Sequence, residues 1–268
     1  MLKRTCAAFS GAWLSSPALA DWALNMPKGV TDLSAETYRL HMTVFWWCVA
    51  IAFFTFGAMI IALVKHRKSL GVTPAKFSHS MKAEVAWTIL PIIILLVMAV
   101  PAAETLIKLE DTRDPDLTVV ATGYQWKWHY RYQGEDVEFF SNLDRESANA
   151  RRKGSGVDPF SVENYLLEVD NRLVVPRGQK VRMLITSNDV IHSWWMPDLA
   201  IKKDAIPGYV NETWFRANEV GVYRGQCAEL CGMDHGFMPI VVEVVEPEEF
   251  QAWLGVRKDD GTRLATTD

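Results

Sequence analysis

The sequence is short of the features that define several common classes of protein. Its 4 cysteines in 268 residues are too few for the disulfide framework of a small secreted fold. It has no Cys-x-x-Cys-His string, so no covalently attached c-type haem is expected. It also lacks an excess of positive charge. With 28 Lys and Arg against 32 Asp and Glu, the net charge of −4 argues against a nucleic-acid partner.

Charge is missing altogether from two long stretches. Residues 44–64 and residues 85–103 contain no Asp, Glu, Lys or Arg. A helix needs about 20 consecutive, mostly apolar residues to cross a bilayer. Pro91 and Pro101 interrupt the second stretch, which membrane helices tolerate. One such run could be a buried helix of a soluble protein. Two runs close together and flanked by charge predict a transmembrane hairpin.

The N-terminus predicts export of the chain. Residues 1–20 begin with Lys3 and Arg4, continue through an apolar stretch and end in Ala-Leu-Ala at Ala20. This is the pattern of a cleaved signal peptide, and the alternative is a tail lying at the membrane interface.

The segment between the two apolar runs predicts the orientation of the hairpin. Residues 65–84 form a short loop, and such loops are cytoplasmic when basic. Its basic residues are Lys65, Arg67, Lys68, Lys76 and Lys82. We therefore expect residues 21–43 and everything after residue 103 to lie outside, which in a bacterial inner membrane means in the periplasm.

The remainder of the chain predicts an exported all-β domain. The net charge changes from +5 over residues 1–103 to −9 over residues 104–268. After a charged linker at 104–116, short runs of β-branched and aromatic residues alternate with Gly and Pro turns over 117–246, which is typical of a sandwich. Strands are predicted at 118–122, 124–132, 166–169, 181–186, 213–216 and 240–245. Residues 141–164 are interpreted as a solvated excursion between strands, and residues 247–268 as a helix and tail.

The densest set of metal-binding residue types lies near the end of this domain. Cys227, Cys231, His235 and Met238 have the spacing Cys-x3-Cys-x3-His-x2-Met, and His192 lies upstream in a separate segment. Thiolate and thioether ligands favour copper, and imidazole is compatible with it. A β-sandwich that draws ligands from one distant strand and one late loop is the cupredoxin arrangement. A disulfide between the cysteines or a Cys2His2 zinc site remains open, although neither would use the methionine.

The motif resembles the binuclear copper centre, CuA, of subunit II of haem–copper cytochrome c oxidases. Three further strings resemble this family: residues 84–91, residues 123–128 and residues 204–208. The resemblance covers the hairpin and the β domain. It implies the fold class of an N-terminal two-helix transmembrane hairpin followed by a C-terminal all-β cupredoxin-like sandwich.

The resemblance implies roles for the residues of the motif. Cys227 and Cys231 would bridge two copper ions, His192 and His235 would each bind one, and Met238 would complete one of them. Glu229 would offer its backbone carbonyl to the other copper ion. Its side chain would bind a magnesium or manganese ion shared with subunit I.

Other residues take their expected roles from the same resemblance. Trp126 would receive the electron first, although Lys127 stands where many members of the family have an aromatic residue. Glu84 would mark the entrance of a proton path into subunit I. Four acidic residues would dock a basic cytochrome c: Glu135, Asp136, Glu138 and Asp189.

The implied protein is subunit II of an aa3-type oxidase in the bacterial inner membrane. Its partners would be subunit I, subunit III, cytochrome c and membrane lipid. Specific residues argue against two other functions. A quinol oxidase subunit shares this architecture without the copper ligands, all of which are present here. A membrane-anchored copper chaperone or storage protein needs open ligation and has no use for Trp126 or Glu84.

Overall fold

The computed structural model describes residues 25–74 and 76–259 of the chain. The predicted signal peptide, residues 1–20, lies outside the described residues. So do residues 260–268, the end of the predicted tail.

Two long helices form the N-terminal hairpin. Helix α1 spans Asp32–Lys65 and helix α2 spans Met81–Leu109. Both are long and apolar enough to cross a membrane, and the apolar side chains that fill them are largely exposed. Each helix extends beyond its uncharged run: α1 starts well before residue 44, and α2 continues into the predicted linker.

Local hydrogen bonds explain where α1 begins. The Thr31 hydroxyl accepts a hydrogen bond from Ser34 N at 2.8 Å, and the Ser34 hydroxyl accepts one from Thr31 N at 2.9 Å. This reciprocal capping satisfies two of the amide groups that a helix start leaves unpaired. The helix therefore starts at this cap, ahead of its uncharged run.

The β domain consists of two five-stranded sheets that enclose one core. The first has the order β3-β2-β1-β5-β8 and the second the order β4-β10-β9-β6-β7. In the first sheet β1 pairs with β5 in parallel, in the second β10 pairs with β4 in parallel, and the other pairs are antiparallel. The strands are β1 Leu117–Tyr124, β2 Lys127–Tyr132, β3 Val137–Ser141, β4 Leu173–Pro176, β5 Val181–Ser187, β6 His192–Met196, β7 Ile201–Ala205, β8 Asn211–Phe215, β9 Gly221–Cys227 and β10 Pro239–Val245.

Alternation of side chains builds the core. In β5, Val181, Met183 and Ile185 are fully buried while the residues between them are partly exposed. In β10 nearly every position is buried, as expected for a strand with neighbours on both sides and cover on both faces. Two apolar helices followed by a β-sandwich confirm the predicted fold class.

Two predicted strands differ from the structure. Residues 166–168 lie in a turn, a bend and irregular chain, and only Val169 makes an isolated bridge, to Leu143. The prediction was wrong because Leu166 has a left-handed backbone, with φ of 63°, which ends any extended run. The run at 124–132 is divided by a tight turn at Gln125 and Trp126, which leaves β1 and β2 as a hairpin.

Hydrogen bonds attach the start of α1 and the end of α2 to the β domain. Val30 N donates to Asp198 O at 2.9 Å, and Asn218 N donates to Val30 O at 2.8 Å. Trp214 Nε1 donates to Lys108 O at 3.0 Å, which attaches α2 as well. The two helices are therefore joined to the sandwich by hydrogen bonds in addition to the chain itself.

Two short helices complete the domain. Helix α3, Arg145–Ala150, lies inside the excursion. Helix α4, Pro247–Asp259, includes the segment predicted as helical, and buries Phe250 and Leu254 against the sandwich.

Candidate metal centre

Two neighbouring strands and one loop converge on a buried cluster of ligand atoms. His192 begins β6 and Cys227 ends β9, and these two strands pair antiparallel. The loop that follows β9 returns Cys231, His235 and Met238 to the same place before β10 begins at Pro239. The ligand types that the sequence places far apart are therefore brought together by ordinary strand pairing.

The sulfur and nitrogen atoms of the cluster lie within a few ångströms of one another. The two cysteine Sγ atoms are 3.9 Å apart, and Cys227 Sγ is 4.0 Å from His192 Nδ1. Cys231 Sγ lies 3.5 Å from His235 Nδ1 and 3.5 Å from Met238 Sδ. His192 is fully buried, both cysteines and Met238 are nearly so, and His235 is half-buried. The cluster is asymmetric, with one histidine inside the domain and the other at its surface.

These distances fit a shared metal better than a disulfide. A disulfide joins its sulfurs at about 2.05 Å, whereas these thiols are free. Two thiolates bound to one tetrahedral metal at about 2.3 Å would lie about 3.8 Å apart, close to the 3.9 Å found here. The buried Met238 thioether beside Cys231 has no role in a zinc site and makes the set soft, which favours copper.

The environment makes the two thiols unequal. Burial alone raises the pKa of the Cys227 thiol, but hydrogen bonds from His192 and from backbone amides outweigh it and lower the pKa below its ordinary value. Burial raises the pKa of the Cys231 thiol to about 12, and the neighbouring Cys227 thiolate adds to the effect. One thiolate is therefore favoured before any metal binds, and binding at the second sulfur must release a proton.

His192 is held from three sides. Its Nε2 lies 2.8 Å from Asp189 Oδ1, while the other carboxylate oxygen accepts from Gln125 N at 2.7 Å. The edge of Trp128 packs against the imidazole, with centroids 6.0 Å apart. A Cβ at Gly123 would lie 2.8 Å from the imidazole Cδ2, so the ring occupies space that only glycine leaves free. A carboxylate on Nε2 leaves Nδ1 as the ligand nitrogen, directed at Cys227.

The turn between β1 and β2 contacts the cysteine loop. Trp126 Nε1 donates to Cys231 O at 3.2 Å, and Gln125 Nε2 donates to the same oxygen at 2.9 Å. Trp126 is half-buried and packs against the core, so it connects the surface of the domain to the backbone of one cysteine.

The remaining predicted residues lie in different surroundings. Glu229 is exposed, and its backbone oxygen lies 3.4 Å from Cys227 Sγ. Glu84 lies in the first turn of α2, on the other side of the predicted membrane segment from the cluster. Among the acids, Glu135 pairs with Lys258, Glu138 lies 3.9 Å from His129, and Asp136 is exposed.

Sequence reasoning missed two residues of the site. Gln125 and Gly123 were noted only as parts of a string, yet one hydrogen-bonds both ligand-bearing segments and the other makes room for a ligand ring. A glycine inside a β-branched run was the available signal, because such glycines mark close approaches.

Comparison with known proteins agrees with the geometry. The family model for the periplasmic domain of cytochrome c oxidase subunit II matches residues 117–245, and the model for its transmembrane domain matches residues 20–105. A probable cytochrome c oxidase subunit 2 of Rickettsia bellii is 41% identical over 235 residues, which cover 87% of this chain and 83% of that protein. Cytochrome c oxidase subunit 2 of Cereibacter sphaeroides is 37% identical over 213 residues, covering 76% of this chain and 70% of that protein.

One similar solved structure is the periplasmic domain of subunit II of the Bradyrhizobium japonicum cytochrome oxidase. It is 41% identical, with a TM-score of 0.49, and the match covers 56% of this chain and 99% of that one.

Fold and site together define a membrane-anchored β-sandwich with a copper-type cluster of histidine and cysteine. More particularly, the chain belongs to the cytochrome c oxidase subunit II family, which confirms the resemblance found in the sequence. It is a subunit of the terminal oxidase complex and assembles with other oxidase subunits.

Proposed function

We propose that this subunit accepts electrons from cytochrome c at a binuclear CuA centre and passes them to haem in subunit I. Oxygen is reduced to water there, with proton pumping. The observation that carries the proposal is the pair of buried cysteine sulfurs, 3.9 Å apart, with an imidazole nitrogen beside each.

The complete ligand set consists of the side chains of His192, Cys227, Cys231, His235 and Met238 and the backbone carbonyl of Glu229. Copper held there would supply a carrier of one electron. The chain's part is to hold the ligands still, since little movement on electron transfer keeps the barrier low. Two of the ligands lie on paired strands, and the Asp189 carboxylate fixes the orientation of His192. With these ligands in place no position remains for a substrate.

Trp126 is the proposed first acceptor of the electron. Its hydrogen bond to Cys231 O would give a short connection from a half-buried indole to a cysteine that would hold copper. Cytochrome c would dock around it through Glu135, Asp136, Glu138 and Asp189, because acidic groups steer a basic partner at low ionic strength. Asp189 would serve twice, because its carboxylate also holds His192.

Two further carboxylates complete the proposal. The exposed side chain of Glu229 would bind magnesium or manganese shared with subunit I. Glu84, at the start of α2, would admit protons to a path in subunit I, as acids at membrane spans often do. This requires the basic loop at 65–84 to be cytoplasmic, with the β domain periplasmic after removal of the signal peptide at 1–20. Subunit III and lipid would cover further parts of the exposed hairpin.

The test is copper analysis and EPR spectroscopy of the intact oxidase containing this subunit. We expect two copper ions in this subunit sharing one unpaired electron, and complete loss of that signal in Cys227→Ser. Cys48→Ser is the matched control, because this cysteine lies exposed in α1. Zinc in place of copper, or a disulfide between Cys227 and Cys231 without metal, would overturn the proposal.

A further inference from the structure

The excursion, residues 141–164, is fastened to the sandwich at its base. Asn142 N and Nδ2 donate to the two oxygens of Asp170 at 2.8 and 2.9 Å, and Asp144 N donates to Glu168 O at 3.0 Å. Inside it, the fully buried Ser147 of α3 accepts a hydrogen bond from Leu166 N at 3.2 Å. The excursion is therefore fastened at its base and packed around α3, while residues 151–158 are exposed, as its composition predicts.

This packing places Arg151, the residue after α3, against the metal loop. Arg151 Nη1 and Nη2 each lie 3.0 Å from one oxygen of Asp234, which is a bidentate pair. The guanidinium also stacks over the Phe237 ring, with 4.2 Å to the centroid. Asp234 immediately precedes a one-turn 3-10 helix, His235–Phe237, and Phe237 is its last residue. One side chain therefore holds both ends of the turn that carries His235.

The turn has few other supports. Met233 and Gly236 are exposed, and a Cβ at Gly236 would meet nothing within 4 Å. His235 itself is half-buried, and among the described residues its imidazole hydrogen-bonds only Cys231, at 3.5 Å. No carboxylate of the described residues orients it in the way that Asp189 orients His192. The constraint on His235 must therefore come from the backbone of its turn.

We propose that Arg151 is a positioning residue for the copper ligand His235, acting through Asp234 and Phe237. This rests on the proposed function. Surface ion pairs in general contribute little, because water screens them and the side chains lose freedom. This pair differs in three ways. It is bidentate, its side chains are 29% and 24% exposed, and it joins segments 83 residues apart in the sequence.

The experiment measures how fast the intact oxidase loses its CuA EPR signal to an excess of a copper chelator. Four proteins form a double-mutant cycle: wild type, Arg151→Gln, Asp234→Asn and the double variant. Arg152→Gln is the matched control, because this neighbouring arginine is exposed and its guanidinium makes no hydrogen bond within the described residues. Histidine-nitrogen hyperfine couplings are recorded for each protein, since a purely structural role would leave them unchanged.

We expect Arg151→Gln and Asp234→Asn each to lose copper roughly tenfold faster, the lower end of the effect typical of residues that orient metal ligands. The double variant should be no faster than either single variant, and the hyperfine coupling of one histidine should change while that of the other does not. If the oxidase with Arg151→Gln does not assemble, Arg151→Lys takes its place. Lysine keeps the positive charge but cannot make the bidentate contact, so this variant should show a smaller effect in the same direction.

Rates and couplings in the Arg151 variants equal to those of Arg152→Gln would overturn the inference, as would fully additive effects in the cycle. A wild-type oxidase without a CuA signal would instead refute the proposed function, so the two failures are distinguishable.

Discussion

The two histidines of the cluster are held in opposite ways. His192 starts a central strand, is fully buried, and is fixed by a carboxylate, an aromatic edge and a glycine. His235 lies on one turn at the surface, and its turn is held from outside by an arginine of a distant excursion. The comparison separates two ways of holding a candidate metal ligand: one is fixed inside the domain by its neighbours, and the other is held at the surface through the backbone of its turn.

The largest difference between the buried His192 side and the half-buried His235 side of the cluster is expected when the two histidines themselves are replaced. His192→Asn removes a ligand from inside a rigid pocket, where neither water nor another side chain can replace it, and should abolish the CuA signal. His235→Asn should leave a weaker, altered copper site, because water can reach that position. EPR spectra and copper-to-protein ratios of the two oxidases compare them, and equal losses would remove the distinction between the two sides.

A glycine lies beside each histidine, so the packing around His192 and around His235 can be compared in the same way. Gly123→Ala places a Cβ 2.8 Å from the His192 ring, and overpacking of this kind costs about 1–3 kcal/mol of unfolding free energy. Gly236→Ala, next to His235, meets open space and should change stability by less than about 0.5 kcal/mol. Thermal unfolding of the metal-free subunit measures both, and a stable Gly123→Ala variant would show that His192 can shift.

Replacing the partner of His192 tests its orientation more gently. At present one carboxylate oxygen of Asp189 is bonded to His192 Nε2 and the other accepts from Gln125 N. The side chain in Asp189→Asn has a single acceptor oxygen in place of these two, so one of the two donors stays unpaired. We expect copper affinity to fall roughly tenfold, with a shifted reduction potential. Chelator competition and redox titration measure these, and the exposed Asp136→Asn is the control. An unchanged potential would count against the orienting role.

The last prediction concerns the base of the excursion, away from the cluster. Glu168 accepts hydrogen bonds from Arg172 and Arg224. Burial alone raises the pKa of the Glu168 carboxyl, but these bonds outweigh it and lower the pKa below its ordinary value. Glu168 therefore stabilises the fold above its unfolded-state pKa of about 4.3, and this contribution is lost as the pH falls through the lower folded-state value.

Glu168→Gln should accordingly lose roughly 1–2 kcal/mol of unfolding free energy at pH 7. The difference from wild type should shrink towards zero in acid. Urea unfolding across pH measures it, with the exposed Glu163→Gln as control. A pH-independent difference would show that the ion pairs are not its cause.

The sequence allowed the hairpin and most of the clustered side chains to be predicted because local patterns cause both. A run without charge is itself what lets a helix enter a bilayer, and four of the five candidate side-chain ligands lie within one short segment. Strands β6 and β9, which carry His192 and Cys227, were not predicted. His-Ser-Trp-Trp-Met is buried at four of five positions and does not alternate.

The supports of the ligands could not be predicted from local patterns. Arg151 and Asp234 are 83 residues apart, and the contact of Gln125 with Cys231 spans 106 residues. Such contacts depend on how the sheets pack, and nothing in the local composition of either segment indicates them.

The hydrogen bonds that join the hairpin to the sandwich have a mechanical consequence. Thr31 bridges Ala217, Asn218 Nδ2 donates to Asp32 Oδ1 at 3.0 Å, and Trp214 attaches the end of α2. The β domain is thus hydrogen-bonded to the hairpin both at the start of α1 and at the end of α2. The fold therefore fixes how far the cysteine pair lies from these ends of the helices.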